Sequence, residues 1–485
     1  MVTLEEVDVP NVPLERLTEV VNSDRVEALG AAAAEARRAF AGRALWNVNS
    51  TASGGGVAEM LHVLVGYARD VGIDTRWLVI GGDGEFFAIT KRIHNNVHGF
   101  AGDGGPLGAA EAAHYTEVLA QNAAALLERI RPADVVLLHD PQTAGLVPAL
   151  EAAGATVVWR CHIGVDGANR YTEAAWSFLR PHLSGAHALV FSRPAYVPAW
   201  VPQGSAVIVA PSIDPFSTKN QELDPATVRS ILARTGIVAG DEAGSPPTFT
   251  APDGSLGQVV RSATVIRSGS PPDPGVPLVV QVSRWDRLKD MPGVMRGFAH
   301  HAGRRGDAHL VLAGPAVAGV ADDPEGALVL EECVADWQNL PADVQSRVHL
   351  ACLPMDDLAE NAAMVNALQR HATIAVQKSL AEGFGLTVSE AMWKARPVVA
   401  SAVGGITDQV TADTGVLLDD PTDLRGFGLA VAGLLDQPDE AARLGANAKE
   451  RVRQHFLADR HLLQYAELFA RLLHAGGSER AARPR

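Results

Sequence analysis

The chain has 485 residues, 47% hydrophobic and 20% charged, which describes a folded protein too long for one ordinary core; two or three domains are expected. A formal net charge of −15 argues against nucleic acid or an anionic membrane as the main partner, so an anionic ligand would need a local basic site. No apolar run approaches the length of a membrane span, and the acidic opening M-V-T-L-E-E-V-D-V-P lacks a signal-peptide core. A cytoplasmic protein is expected, with Cys161, Cys333 and Cys352 as reduced thiols.

Short apolar runs alternate with helical stretches along most of the chain. The first series is Ala44 to Val48, Trp77 to Ile80, Val135 to Leu138, Thr156 to Trp159, Ala188 to Phe191 and Val207 to Ala210. The second is Leu278 to Val282, Leu310 to Ala313, Val348 to Ala351, Ile374 to Val376, Val398 to Ala400 and Val416 to Leu418. Their lack of strict alternation predicts parallel strands covered on both faces, hence an α/β protein with two doubly wound domains. Pro/Gly/Ser-rich sequence separates the two series. The expected division is 1–238, a linker or insertion at 239–277 with a short strand near Ala263 to Ile266, a second domain at 278–455, and a terminal helix and tail at 456–485. One helical stretch is expected from about Asp439 to Leu473.

In such sheets ligands sit outside the carboxyl ends of the strands, so the residues after each strand are the candidates. The first strand leads into Gly54, Gly55 and Gly56 before a helix, a cradle suited to phosphate or sugar, though also an ordinary turn. His139-Asp140-Pro141-Gln142 follows another strand, with Asp140 placed either to cap a helix or to meet a ligand. His162 ends a third strand; taken alone, it is a structural residue. Past Leu278 to Val282 stand Arg284 and Lys289, two cations that could neutralise a diphosphate leaving group. The stretch S-L-A-E-G-F-G-L-T-V-S-E-A-M-W places Glu382 on a glycine-flanked loop and Glu390 on a helix starting near Leu386. Gly383, Phe384, Gly385 and Leu386 would offer backbone N–H groups at the positive end of that helix. Eight helical residues span ~12 Å, against roughly 5 Å between the carboxyls of a retaining hydrolase, so a glycosidase pair is disfavoured.

The setting E-G-F-G-L-x-x-x-E-A-M resembles the donor motif of the family-four retaining glycosyltransferases, and S-R-W-D-R-L-K-D resembles their phosphate-binding segment. The resemblance implies the GT-B fold: two Rossmann-like domains facing a deep cleft, with a C-terminal helix packing back across them. It implies that Arg284, Lys289 and Glu382 are catalytic, with Glu382 holding donor-sugar hydroxyls, Glu390 the ribose, and His162 a contact near the sugar's 6-hydroxyl. W-N-V-N-S-T-A-S-G-G-G-V-A-E-M-L, G-E-F-F-A-I-T-K-R-I-H-N-N-V-H-G, H-D-P-Q, W-R-C-H-I and P-S-I-D-P-F-S-T-K-N are similar to the trehalose-synthesising branch of that family. Those enzymes pass a glucosyl group from a nucleoside-diphosphate glucose to glucose, giving α,α-trehalose.

On that resemblance Asn49, Glu59, Lys91, His94, Asp140 and Gln142 fall on the acceptor side. The substrate would be ADP-, UDP- or GDP-glucose, with no required cofactor and no protein-held metal, stimulation by Mg2+ left open, and a homodimer as the assembly. Two features depart from the pattern: Gly164-Val165-Asp166 stands where an Asp directly after Ile163 is expected, and the proline-rich insertion is unusual. A different sugar acceptor, a trehalose phosphorylase-like reaction and a catalytically silent sugar-nucleotide sensor stay open.

Overall fold

In the computed structural model the described residues are 4–52, 56–202, 204–240, 245–301, 307–317 and 324–482. The chain divides into two compact units, Met1–Ser212 with Phe456–Arg485, and Ile213–His455.

The first unit is built on strands β1 (Glu5–Glu6), β2 (Ala44–Asn49), β3 (Asp74–Val79), β4 (Val135–His139), β5 (Thr156–Cys161), β6 (Ala188–Phe191) and β7 (Ala206–Ile208). They form one sheet in the order β1-β3-β2-β4-β5-β6-β7. All pairings are parallel except the two-residue edge β1, which runs antiparallel to β3. One face packs Trp46, Val48, Val136, Leu138 and Trp159 into a core; the other packs Leu45, Leu137, Val158 and Val190. That second face is covered by Tyr465, Leu468 and Phe469 of the helix Ala458–Ala482. The same helix meets the helix Ser23–Ala39 through an edge-to-face Phe40–Phe469 contact and an Arg25–Asp459 ion pair.

The second unit holds β8 (Thr248–Thr250), β9 (Leu256–Gln258), β10 (Thr264–Ile266), β11 (Leu278–Val282), β12 (His309–Pro315), β13 (Val348–Leu353), β14 (Ile374–Gln377), β15 (Val398–Ser401) and β16 (Gly415–Leu418). Its main sheet runs β10-β13-β12-β11-β14-β15-β16, antiparallel only at β10. Strand order reverses between β11 and β14, so the loops leaving these neighbours diverge and open a crevice at their carboxyl ends. In the first unit the corresponding reversal lies between β2 and β4.

All twelve expected strands are present. The unit boundary lies at 212/213 and not at 238, because the helix Pro225–Thr235 buries Val228, Ile231 and Leu232 against Leu278, Val280 and Leu368 of the second unit. The described part of 239–277 is tied to that unit: β8 and β9 form a hairpin, β10 extends the sheet, and Glu360 accepts the Val260 and Arg261 N–H groups at 2.6 Å each. The expected terminal helix is two, Pro438–His455 and Ala458–Ala482, separated at the buried pair Phe456 and Leu457 and belonging to different units.

Candidate functional site

In the second unit the loop after β11 and the loop after β14 lie side by side at the strand-order reversal. The first is pinned by Trp285, whose ring is buried and whose indole N–H donates to the Pro315 carbonyl at 2.9 Å. Asp286 shapes the turn by accepting the Leu288 N–H, while its other oxygen pairs with Arg284 at 2.9 Å. Arg284 is mostly exposed. Lys289 is largely shielded: its side chain is only 16% exposed and donates from Nζ to Glu382 Oε2 at 2.6 Å. Ser379 Oγ lies 3.3 Å from the same oxygen.

Glu382 begins the turn into the helix Leu386–Trp393. Gly385 has φ +82, and a Cβ there would come within 3.1 Å of both Glu382 and Ile406, so the tight turn requires glycine. Phe384 is buried, and Gly383 and Leu386 are partly open at the helix start. Glu390 lies within this helix at 4% exposure. Its Oε1 is 3.7 Å from Lys219 Nζ, and its Oε2 has no hydrogen-bond partner among the described residues. A buried carboxylate oxygen left open in this way costs free energy unless a ligand's donor reaches it. One turn on, Lys394 is buried and donates to the carbonyl of Glu390 and to Asn220 and Gln369 at 2.8 to 3.1 Å. Burial pushes its ammonium below the usual lysine range despite the nearby Glu390 carboxylate.

In the first unit Asn49, Asp140 and His162 stand at the carboxyl ends of β2, β4 and β5. Gly54 and Gly55 lie outside the described residues; Gly56 opens the helix Gly56–Asp70 and is exposed. Asn49 is buried, donating to the Thr51 carbonyl at 2.7 Å and accepting the Trp77 indole N–H at 2.8 Å, which makes it a brace for its loop. Glu59 is exposed on the helix that Gly56 opens. Lys91, exposed, and His94, half-buried, share the helix Gly84–Val97, and Gln142 sits half-buried on the turn after Asp140.

Asp140 is not a side-chain helix cap. It adopts φ +63 and accepts the His162 N–H at 2.7 Å. It keeps some exposure, yet the surrounding protein pushes its carboxyl up to about 6 by desolvation. Both ring nitrogens of His162 are engaged. Nδ1 accepts from Arg160 Nε at 3.1 Å, and Nε2 meets His139 Nδ1 at 2.9 Å. Because a guanidinium only donates, His162 carries its proton on Nε2, and His139 passes its own to Asn47 Oδ1 at 3.3 Å. Desolvation and the Arg160 charge hold both rings neutral, His139 pushed down to about 3. The expected ring contact from His162 to a sugar hydroxyl therefore finds neither nitrogen unengaged. The Gly164 departure also has a local cause: a Cβ at 164 would run into the Tyr196 ring, while Asp166 pairs with Arg193 at 2.6 Å.

The expectations above named the loop cations and glutamates, but gave no role to Lys219, Lys378, Asp290 or Lys394. Lys219 lies in P-S-I-D-P-F-S-T-K-N and Lys394 four residues after Glu390, a spacing that brings two helical residues to one face. Lys378 has no comparable sequence signal.

Residues 47–198 match the family model for the trehalose synthase N-terminal domain, and 263–451 match glycosyl transferases group 1. The chain is 34% identical to the trehalose synthase of Pyrococcus horikoshii, covering 88% of this chain and 89% of that one. It is also 34% identical to the trehalose synthase of Rubrobacter xylanophilus, covering 89% and 91%. Among solved structures, the α,α-trehalose 6-phosphate synthase of Burkholderia multivorans superposes with a TM-score of 0.60 at 16% identity, covering 91% of this chain and 99% of that one, a likeness of GT-B fold. This chain belongs to the trehalose synthase family of glycosyltransferases.

Proposed function

We propose that the protein transfers a glucosyl group from a nucleoside-diphosphate glucose to glucose, with retention of configuration, forming α,α-trehalose. The observation that carries this reading is the Lys289–Glu382 contact across two adjoining loops at the strand-order reversal of the second unit, with Arg284 on the Lys289 loop and the open Glu390 Oε2 in the following helix. The names of the relatives support the choice of sugar product.

In this reading Glu390 takes the ribose hydroxyls with its unpartnered oxygen, and Arg284 and Lys289 take the diphosphate. Glu382 and the backbone amides at Gly383 to Leu386 hold the glucosyl hydroxyls. The donor C1–O bond breaks with its electron pair leaving on the diphosphate, whose growing charge the two cations stabilise. The acceptor oxygen bonds to C1 from the same face and gives its proton to the departing phosphate oxygen. Within the first unit, Asp140, held by the His162 N–H, is the candidate acceptor-side group. No step assigns a covalent role to either glutamate.

The test is product formation from glucose with ADP-, UDP- and GDP-glucose separately, and with glucose 1-phosphate. An alkali-stable, non-reducing disaccharide formed only with a nucleotide donor is expected. Product from glucose 1-phosphate alone would replace this reading with a phosphorylase.

A further inference from the structure

The two loops at the strand-order reversal are joined by a second ion pair, set next to the first and running the opposite way. Lys289 of the β11 loop reaches Glu382 of the β14 loop; Lys378, at the start of the β14 loop, reaches back to the adjacent Asp290. Lys378 is fully buried, whereas its partner Asp290 keeps 15% of its side chain in contact with solvent, much as Lys289 and Glu382 keep 16% and 13%. Asp290 holds a left-handed backbone, φ 47, and caps the helix Met291–His300 by accepting the Gly293 N–H at 3.1 Å. Gln281, also fully buried, binds both loops: Nε2 donates to the Lys289 carbonyl at 2.8 Å, and Oε1 accepts the Lys378 N–H at 3.3 Å. The Leu380 N–H donates to the Leu288 carbonyl at 2.8 Å between the two pairs.

The pairs differ in what they can do. A ligand with a diphosphate and sugar hydroxyls competes for both members of the outer pair, giving Lys289 a new anion and Glu382 new donors. The inner pair cannot be opened in the same way, because drawing Asp290 off would leave the buried Lys378 ammonium without its anion, which is costly. We propose that the Lys378–Asp290 pair is a positioning device that keeps Lys289 and Glu382 in register when the donor parts them. Lys378 and Asp290 touch no substrate. They act on Lys289 through the backbone of residue 290 and through Gln281. This inference rests on the donor-site reading above, which supplies the diphosphate that Lys289 meets.

The test compares the affinity of ADP, UDP or GDP with that of the corresponding nucleoside, by calorimetry on the full chain. The ratio isolates the diphosphate increment, which a loss of general stability lowers no more than it lowers nucleoside binding. The variant is D290N/K378M. Asn keeps the cap and tolerates the left-handed backbone, and Met removes the charge that would otherwise be stranded. Its fold is checked by circular dichroism, with K378M alone as a second variant. The increment should fall by about tenfold or more, with nucleoside affinity unchanged and kcat reduced. K289A serves as reference. If K289A lowers the increment and D290N/K378M does not, the positioning role is overturned and the donor site stands. If neither lowers it, or the unaltered protein shows no preference for diphosphate over nucleoside, the donor-site reading falls and this inference with it.

Discussion

Lys289 Nζ and Glu382 Oε2 lie 2.6 Å apart, so the two side chains assigned to the donor's phosphate and sugar already neutralise one another. In the proposed reading, binding a donor exchanges this contact for two others. On that reading the ion pair would set part of the free-energy cost of binding.

Removing one partner should consequently have opposite effects on binding and on turnover. Glu382→Gln leaves Lys289 without its carboxylate, so a nucleoside diphosphate should bind as tightly as before or several-fold tighter. Transfer should fall by about 10²-fold or more, since the sugar loses a charged acceptor. Calorimetry with the diphosphate and initial-rate kinetics on the same preparation read both. Weaker diphosphate binding in this variant would show that the pair does not compete with the ligand.

Lys289→Ala should reduce turnover by roughly 10²- to 10³-fold, the usual effect of deleting a group that stabilises developing negative charge. Its pair is partly solvated, so the thermal midpoint should move by only a few degrees. A wild-type rate would place the leaving-group site elsewhere.

At Glu390 the expected loss is in affinity. The variant Glu390→Gln keeps the side-chain shape but removes the negative charge facing Lys219 and the buried Lys394, so some stability should be lost and the fold is checked by circular dichroism before binding is measured. Nucleoside binding should weaken by about tenfold or more as a charged acceptor becomes neutral. Unchanged nucleoside affinity together with a lowered kcat would assign the residue to the reaction and not to the ribose.

A pH dependence follows from a site remote from this chemistry. His349 on β13 is fully buried, stacked on His309 with 2.9 Å between ring nitrogens, and its ring is pushed down to about 3, chiefly by desolvation. An unfolded histidine titrates near 6.5, so between those values the unfolded chain binds more protons and stability falls as pH falls. From pH 6.5 to pH 5 this one group costs ~2 kcal/mol. In His349→Leu the stability difference between pH 7 and pH 5, from urea unfolding, should shrink by about that amount. An undiminished difference would assign the acid sensitivity to other groups.

The strands of both units were legible because a parallel sheet covered on both faces demands short apolar runs, as at Val135–His139 and Leu278–Val282. The edges were not: β1, β8 and β9 have two or three residues each and gain their conformation from pairing. The side to which Pro225–Thr235 belongs is decided by what its apolar face meets, which no local pattern contains. At the candidate site, the placement of Arg284, Lys289, Glu382 and Glu390 after strands and beside glycines was legible. Lys378 was not, because its partner Asp290 stands 88 residues away and only strand adjacency brings them together. His162 was legible as a strand-end residue, but its tautomer depends on Arg160, whose role appears only in three dimensions.

The most direct test of the proposed reaction is a time course of the anomeric region by proton NMR, with the purified protein, glucose and the α-configured nucleoside-diphosphate glucose it accepts. The account predicts that one symmetric α,α-linked product appears at the rate at which the nucleoside diphosphate is released, without free glucose from the donor. A β-linked first product would contradict retention. Steady donor hydrolysis with no disaccharide would contradict the assignment of glucose as the acceptor.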